Sequence, residues 1–316
     1  MMKYFATFPA GVYPIISKHL KGFSVDELRI VESDDSSVTF NSALSVNRLT
    51  SIRYFTNIFL VADDQSDLPE AVFNGRYFRL LGINKGKPQA IDAKLRAELL
   101  KRIEVTYKLR DDTHKSKNDF CWIERDNGKK FLALRLMQSS FKNHSQSAGE
   151  LSPQVANVLC LAAGVNSKSK VLDMFAGYGA IPYEAVRGFG CKEVTAVDID
   201  VMPKRHEMPV IKWHKADATK LDFIEEGSID KIVADPAWGV YDAKSYDLPT
   251  LYSGFLKEVE RVLKPAGVAV ILSGYEKAKE YLKDCNELEL ISELNILVSG
   301  KKAVIYKLRR NQKQRV

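Results

Sequence analysis

The sequence predicts an α/β protein in which a mostly parallel, doubly wound sheet follows smaller α+β units. Three observations support this prediction. Beyond residue 150, apolar strand-like runs alternate with helical segments and short turns, which is typical of parallel sheets. Before residue 140, strands follow one another across polar turns, as in antiparallel sheets. The 316 residues also exceed one average domain of about 150 residues, so at least two domains are expected.

The first predicted unit covers residues 1–70 and has the element order β-α-β-β-α-β. The segment KYFATF alternates like a strand, and GVYPIISKHL is a helix that holds Pro14 in its first turn. Two strands follow around an Asp-Asp-Ser-Ser turn, and a short helix over Ser45–Ser51 precedes the strand RYFTNIFLVA. This order is that of a ferredoxin-like α+β domain.

A second small α+β unit is predicted over residues 71–143. It contains a strand from Tyr77, a helix over Ile91–Tyr107 and two later strands around CWIE and FLALRL. The next stretch, QSSFKNHSQSAGELSP, is rich in Ser, Asn and Gln and indicates a boundary. The third domain is therefore expected over residues 144–316, closed by an antiparallel hairpin and a basic tail.

Charge is distributed unevenly along the chain. The total of +7 divides into −3 over residues 1–75, +9 over 76–145, −6 over 146–300 and +7 over 301–316. Clustered Lys and Arg residues favour a polyanionic partner, because neutralised phosphates release their condensed counterions. A basic RNA-binding unit is one interpretation, and a Lys-rich surface that only aids solubility is the other.

Several classes of protein are excluded or disfavoured by composition. No stretch reaches the roughly 18 uninterrupted apolar residues of a membrane helix, and the N-terminus alternates like a strand rather than a signal peptide. The four cysteines lie far apart without a CxxC pair, which argues against structural zinc and a disulfide framework. The five histidines lack metal-ligand spacing. A cytoplasmic protein without a metal is therefore expected.

The first strand end of the third domain has the pattern of a cofactor site. In VLDMFAGYGAIPYEA, Asp173 lies near the strand end, Gly177 and Gly179 form the turn, and a helix follows. Two glycines let the backbone approach a ligand closely, next to the positive end of a helix. A dinucleotide fingerprint needs a third small residue where this chain has Pro182, so hydride transfer is disfavoured.

The next two strand ends each supply a carboxylate. Asp198 lies 21 residues after Gly177 and can accept both ribose hydroxyls of NAD or S-adenosylmethionine, while Asp217 is placed to accept from an adenine amino group. Taken singly, each is equally well an ordinary loop carboxylate. Their succession at consecutive strand ends favours the cofactor interpretation. The predicted cofactor site also includes three neighbouring loop residues, Phe175, Ile199 and Ala218.

The fourth strand end, IVADPAWGVY, carries a family resemblance. Asp-Pro-Ala-Trp after a strand resembles the [DNS]PP[YFW] motif of S-adenosylmethionine-dependent amino methyltransferases. VLDMFAGYGAIPYEA is similar to their LDPFCGSGTILIEA pattern, and LSPQVANVLCLAAG to the helix that precedes it. Over residues 144–310 the chain thus resembles RNA guanine-N2 methyltransferases, which implies a class I, Rossmann-like methyltransferase fold.

The resemblance also implies a cofactor and a partner. The implied cofactor is S-adenosyl-L-methionine. The implied substrate is an RNA, with tRNA as the expected class. The N-terminal half resembles, more loosely, the ferredoxin-like plus THUMP module of the same group, although it is short for a complete THUMP region. Two departures from the pattern affect the site: Ala237 stands where the motif has a second proline, and the segment MPKRHEMP after Asp198 implies a shortened helix.

The implied chemistry assigns catalytic roles to Asp235, Pro236 and Trp238. An exocyclic amine is a poor nucleophile, since its lone pair is delocalised into the ring, and it needs acceptors for its N–H bonds. Asp235 is one acceptor and the carbonyl of Pro236 another, while Trp238 stacks on the extruded base. Orientation and proximity then provide most of the rate, and no metal is required.

Two other functions remain open at the level of sequence. Methylation of adenine N6 or cytosine N4, in DNA or RNA, uses the same motif because the shape of the pocket selects the base. A non-catalytic RNA-binding protein on a degenerate methyltransferase scaffold is the alternative of another class. This second alternative is disfavoured because the four strand ends still carry aspartates, which a degenerate scaffold has no need to keep: Asp173, Asp198, Asp217 and Asp235.

Overall fold

The computed structural model describes residues 1–62, 68–139, 150–200, 208–239 and 247–311. The chain forms two compact units. The N-terminal unit comprises Met1–Phe8 and Ser17–Ser139, and the C-terminal unit comprises Pro9–Ile16 and Ser140–Val316. The predicted boundary between residues 143 and 144 falls outside the described residues. None of the helices in the described part of the chain is long and apolar enough to cross a membrane.

The first half of the N-terminal unit has the predicted ferredoxin-like topology. Its elements are β1 (Met2–Thr7), the second half of α1 (Tyr13–Leu20), β2 (Leu28–Ser33), β3 (Ser37–Ser42), α2 (Val46–Thr50) and β4 (Asn57–Val61). The strands are antiparallel in the order β2-β3-β1-β4, which confirms the predicted β-α-β-β-α-β unit. Ser45 caps α2 by accepting a hydrogen bond from the backbone N–H of Arg48.

The second half of this unit continues the same sheet. It consists of a 3₁₀ turn (Glu70–Val72), β5 (Tyr77–Asn84), β6 (Lys87–Pro88), α3 (Ala93–Tyr107), β7 (Arg110–Asp111), β8 (Asn118–Glu124) and β9 (Lys130–Gln138). β9 pairs antiparallel with β4, so nine strands form one sheet. The predicted division between residues 70 and 71 thus falls between two halves of one continuous sheet. The unpaired edge of β4 requires hydrogen-bond partners, and β9 supplies them.

A buried guanidinium connects distant parts of this sheet. Arg125, which follows β8, has its side chain only 5% exposed and forms ion pairs with Glu32 of β2 and with Asp34. Burial alone would raise the pKa of each carboxyl group, but hydrogen bonds and charges from Arg125, and from Lys129 for Glu32, lower both pKa values. The cluster thus links the β2–β3 hairpin to β8.

The C-terminal unit is an α/β domain around a seven-stranded sheet. Its elements are α4 (Pro153–Ala163), β10 (Lys170–Asp173), α5 (Ala180–Phe189), β11 (Glu193–Asp198), β12 (Ile211–Lys215), β13 (Ile229–Ala234), α6 (Leu248–Val262), β14 (Leu263–Ser273), α7 (Ala278–Lys283), β15 (Leu288–Val298) and β16 (Lys301–Arg310). The strand order is β12-β11-β10-β13-β14-β16-β15. β10 to β14 are parallel, and β16 and β15 close the sheet as the predicted antiparallel hairpin.

Strand order reverses between β10 and β13, and this position locates the site. The chain runs outward through β11 and β12 on one side of β10, then returns to place β13 on the other side. Ligands of open parallel sheets bind at such a reversal, beyond the carboxyl ends of the strands. Buried side chains from β10, β13 and β14 form a core with α6, which holds the strands in register.

Two details of the C-terminal unit were not predicted. Helix α6 begins at Leu248, where Asp247 caps it by accepting from the backbone N–H of Thr250. Pro9–Ile16 belongs to this unit rather than to the predicted domain 1–70. Gly11 has a φ of +88°, and a Cβ there would lie 2.6 Å from the carbonyl oxygen of Asn295 in β15, so only glycine fits.

Loss of the buried cation should destabilise the N-terminal unit. We expect Arg125→Met to reduce the free energy of unfolding by about 1.5–3 kcal/mol, the contribution of hydrogen bonds to charged groups, because Glu32 and Asp34 are partly exposed and stay solvated without the cation. Urea unfolding followed by circular dichroism measures this change. Arg48→Met is the matched control, since Arg48 forms an exposed pair with Glu27. Equal effects of the two variants would show that the buried cluster has no special role.

Candidate active site

The loop between β10 and α5 is shaped by two glycines with different roles. Gly179 has a φ of +89°, and a Cβ there would lie 2.7 Å from the side chains of Trp213 and Tyr183. Gly177 also has a positive φ, of +46°, but no described atom lies within 4 Å of the place where its Cβ would be. Gly179 is therefore required for internal packing, whereas Gly177 faces open space in which a ligand fits.

Asp173, the last residue of β10, carries an unpaired buried oxygen. It is 1% exposed, and its Oδ1 accepts a hydrogen bond from the backbone N–H of Phe175 at 3.0 Å. Oδ2 has no hydrogen-bond partner among the described residues. Burial raises the pKa of Asp173 well above its usual range; the Phe175 hydrogen bond opposes this rise, and the nearby Asp198 and Asp235 add to it.

Asp198, the last residue of β11, is held rigidly by the loops around it. Its Oδ2 accepts from the backbone N–H of Gly177 at 2.7 Å, and its Oδ1 accepts from the N–H of Asp200 at 3.0 Å. The β10 loop and the β11 end are thereby fixed to each other. The segment MPKRHEMP, in which the shortened helix was expected, lies largely outside the described residues.

The remaining predicted cofactor residues lie around this pair of strand ends. Asp217 is exposed, and its Oδ1 accepts from both the N–H and the hydroxyl of Thr219 at 2.8 Å. Ala218 is buried, whereas Ile199 is 53% exposed. Phe175 packs edge-on against Phe255 of α6, with ring centroids 5.2 Å apart. Asp217 is thus fixed by its own turn, one strand farther from Asp173 than Asp198 is.

The loop after β13 joins two of the predicted catalytic residues directly. The indole Nε1–H of Trp238 donates to Oδ1 of Asp235 at 2.9 Å, while Pro236 between them is buried. Burial raises the pKa of Asp235 to about 7, and the Trp238 hydrogen bond opposes that rise. Asp235 therefore changes charge near neutral pH, far above the usual range of an aspartate.

Three predicted carboxylates meet where the strand order reverses. Asp173 ends β10, Asp198 ends β11 and Asp235 follows β13, so they occupy three adjacent strand ends. Asp198 and Asp235 lie near enough to Asp173 for their charges to raise its pKa further. Three carboxyl groups beside an open glycine suit a cationic ligand, because a nearby cation favours their ionised form. Among the described residues, no group of three or more His, Cys, Asp or Glu side chains is arranged to hold a metal ion.

Sequence reasoning missed the residues behind the Asp235–Trp238 loop. Tyr252 of α6 donates a long hydrogen bond of 3.4 Å to the carbonyl oxygen of Ala237, and its hydroxyl lies 2.6 Å from that of Ser273. Gly274, next to Ser273, packs against the six-membered ring of Trp238. A signal was present in the sequence, since Ser273 and Gly274 follow the apolar run of β14 and so lie at the ligand-binding edge of the sheet.

Comparison with known proteins assigns this architecture. The model of the UPF0020 family, described as an RMKL-like methyltransferase domain, matches residues 206–303. The structure of TrmN from Thermus thermophilus aligns with 98% of this chain and all of its own, with a TM-score of 0.72 at 19% identity. The C-terminal unit has the methyltransferase fold. SMU.472, solved in complex with SAH, aligns with 100% of this chain and 99% of its own, with a TM-score of 0.67 at 12% identity.

One curated relative has higher sequence identity over a shorter segment. The tRNA (guanine(6)-N2)-methyltransferase of Thermus thermophilus is 30% identical over 158 residues, which make up 45% of this chain. The match spans 46% of that relative's length, or about half of it. The structural match confirms the predicted methyltransferase fold with its mostly parallel sheet.

The C-terminal unit has a site whose residues fit S-adenosylmethionine. The unpaired Oδ2 of Asp173 suits an ammonium group, and the open side of Gly177 leaves room for a ligand next to the backbone. Asp198 is positioned to accept from ribose hydroxyls. The individual roles of these residues, and those of Phe175, Ile199, Asp217 and Ala218, remain predictions.

The Asp235–Trp238 hydrogen bond provides a spectroscopic test of the site. We expect the indole ¹H–¹⁵N signal of Trp238 to shift with pH about a midpoint near 7, because its acceptor carboxylate titrates there. Assignment through Trp238→Phe and a pH titration by NMR measure the midpoint. Asp235→Asn, which cannot titrate, serves as the control. A midpoint near 4 would contradict the raised pKa.

Proposed function

We propose that this protein is an S-adenosylmethionine-dependent RNA methyltransferase that methylates an exocyclic amine of a base, namely guanine N2 in tRNA. The observation that carries the proposal is the joining of Asp235 and Trp238 in one loop beside the Asp173–Asp198 site. The proposed cofactor site and the proposed substrate-binding loop are therefore adjacent, at the same reversal of strand order. Asp235, Pro236 and Trp238 are the proposed catalytic residues.

The choice of guanine N2 in tRNA rests on similarity. The curated relative acts on guanine N2 of tRNA, and the motifs around Asp173 and Asp235 resemble those of RNA guanine-N2 methyltransferases. The net charge of +9 over residues 76–145 supports an RNA partner for the N-terminal unit. Its proposed THUMP-like character and a cytoplasmic location accord with that partner. The last five residues of the basic tail lie outside the described residues.

When bound, S-adenosylmethionine supplies a methyl group already activated on a sulfonium, so the protein's contribution is orientation and acceptance of a proton. Asp173 and Asp198 would hold the cofactor at one strand end. Asp235 accepts a hydrogen bond from the substrate amine and localises its lone pair on nitrogen. A pKa of about 7 also suits Asp235 to receive the amine proton at neutral pH.

The rest of the loop restricts how a base can enter. The carbonyl of Ala237 is bound by Tyr252, so it is engaged within the protein, and the Pro236 carbonyl is the proposed second acceptor. Trp238 donates to Asp235 and lies against Gly274, so the position of its indole in the loop is restricted. Stacking on a fixed aromatic ring orders the base before transfer.

The cofactor assignment predicts a specific loss of affinity. Asp198→Ala should weaken S-adenosylmethionine binding about ten- to a hundredfold, because it removes charge-assisted hydrogen bonds worth about 1.5–3 kcal/mol. Isothermal titration calorimetry measures the affinity, and thermal unfolding verifies the fold. Asp222→Ala, which removes an exposed carboxylate near Lys220, is the control. If folded Asp198→Ala binds like wild type, the assignment of Asp198 is wrong.

The catalytic assignment predicts a large loss of turnover at Asp235. Asp235→Ala should lower kcat by about 10²–10⁴, as for other positioned acid–base groups, while cofactor affinity stays near wild type. Asp235→Asn should retain more activity, since its amide oxygen still accepts a hydrogen bond. Wild-type kcat should rise with pH through about 7, because the carboxylate form is the acceptor.

Nucleoside mass spectrometry of tRNA from a deletion strain, complemented with each variant, tests substrate and catalysis together. N2-methylguanosine should disappear in the deletion strain and return with wild type but not with Asp235→Ala. Loss of N6-methyladenosine or N4-methylcytidine instead would identify the alternative base. Full complementation by Asp235→Ala would support a non-catalytic role.

A further inference from the structure

Tyr252 is buried directly behind the proposed catalytic loop. It is 1% exposed in helix α6, and it lies in the core formed with the strands of the sheet. Its hydroxyl lies 2.6 Å from Oγ of Ser273 and 3.4 Å from the carbonyl oxygen of Ala237. A buried hydroxyl is costly unless it is hydrogen-bonded, and this one has a partner on each side.

The hydrogen bonds around Tyr252 have a defined direction. The backbone N–H of Tyr275 donates to Oγ of Ser273 at 3.1 Å, and the Tyr252 hydroxyl donates to Ala237. With the single Tyr252 hydroxyl hydrogen directed at Ala237, the 2.6 Å hydrogen bond is donated by the Ser273 hydroxyl. A chain of hydrogen bonds thus runs from the end of β14, through α6, to the loop after β13.

The same strand end contacts the loop at a second point. Gly274 lies so close to Trp238 that a Cβ at position 274 would fall 2.4 Å from the six-membered ring. Ser273 therefore reaches Ala237 through Tyr252, and the adjacent Gly274 contacts Trp238. Two successive residues at the end of β14 hold two successive residues of the loop.

We propose that Tyr252 is a positioning residue for the methyl-transfer site, where it fixes the Asp235–Trp238 loop through the carbonyl of Ala237. The inference rests on the proposed function. A proline ring would restrict the backbone at position 237, and Ala237 leaves it freer. The hydrogen bond from Tyr252 restrains that peptide instead, and it keeps Trp238 in place to hold the carboxylate of Asp235.

The test compares Tyr252→Phe with Tyr306→Phe. Each substitution removes one hydroxyl from a buried tyrosine of the same core, but only Tyr252 contacts the loop. Tyr252→Phe should lower kcat about tenfold, the effect of roughly 1.4 kcal/mol in the barrier, with an unchanged affinity for S-adenosylmethionine. It should also shift the Trp238 indole NMR signal. Tyr306→Phe should leave kcat and the indole signal unchanged.

A rescue experiment distinguishes a positioning role of Tyr252 from a general contribution of Tyr252 to the packing of the core. Ala237→Pro, introduced together with Tyr252→Phe, should restore part of kcat, since the ring restricts the loop that the lost hydrogen bond released. An unchanged kcat and an unchanged indole signal in Tyr252→Phe would overturn the proposal, as would equal losses in Tyr306→Phe. Should Tyr252→Phe fail to fold, Ser273→Ala removes the donor to Tyr252 and tests the same chain of hydrogen bonds.

The two readouts also separate this inference from the proposed function. If wild type transfers no methyl group to tRNA, the proposed function fails, yet the indole signal still reports whether Tyr252 orders the loop. If wild type is active and Tyr252→Phe changes neither readout, only the role of Tyr252 fails.

Discussion

The reversal of strand order at β10 is the constraint on which the site depends. Because β11 and β13 flank β10 and all three strands are parallel, their carboxyl ends open at one edge of the sheet. Asp173, Asp198 and Asp235 are brought together by that topology, although up to 62 positions separate them in the chain. Burial, together with the nearby Asp198 and Asp235, raises the pKa of Asp173, and the sheet and its buried core hold the three residues in place.

Much of this site could be predicted because it follows local rules. A polar residue after an apolar run of a parallel sheet lies at the ligand-binding edge, and this rule locates Asp173, Asp198 and Asp235 from the amino-acid sequence alone. The helix expected after the Gly177–Gly179 turn is likewise present as α5.

The features that escaped prediction depend on contacts between distant segments. Pairing of β4 with β9 joins strands about 75 residues apart, and no local pattern distinguishes a continuous sheet from two smaller ones. The contact of Tyr252 with Ala237 depends on how α6 packs, which its apolar face alone does not reveal. The raised pKa of Asp235 is a consequence of burial, which the motif does not encode.

The position of Pro9–Ile16 in the C-terminal unit has a consequence for biosynthesis. These residues leave the ribosome long before β15, the strand that contains Asn295 and against which Gly11 packs. During synthesis the segment therefore lacks its final contacts until the whole parallel sheet and β15 have been made. Domains that fold in order from the N-terminus avoid such a delay. In this protein a strand synthesised late completes the packing of residues synthesised early.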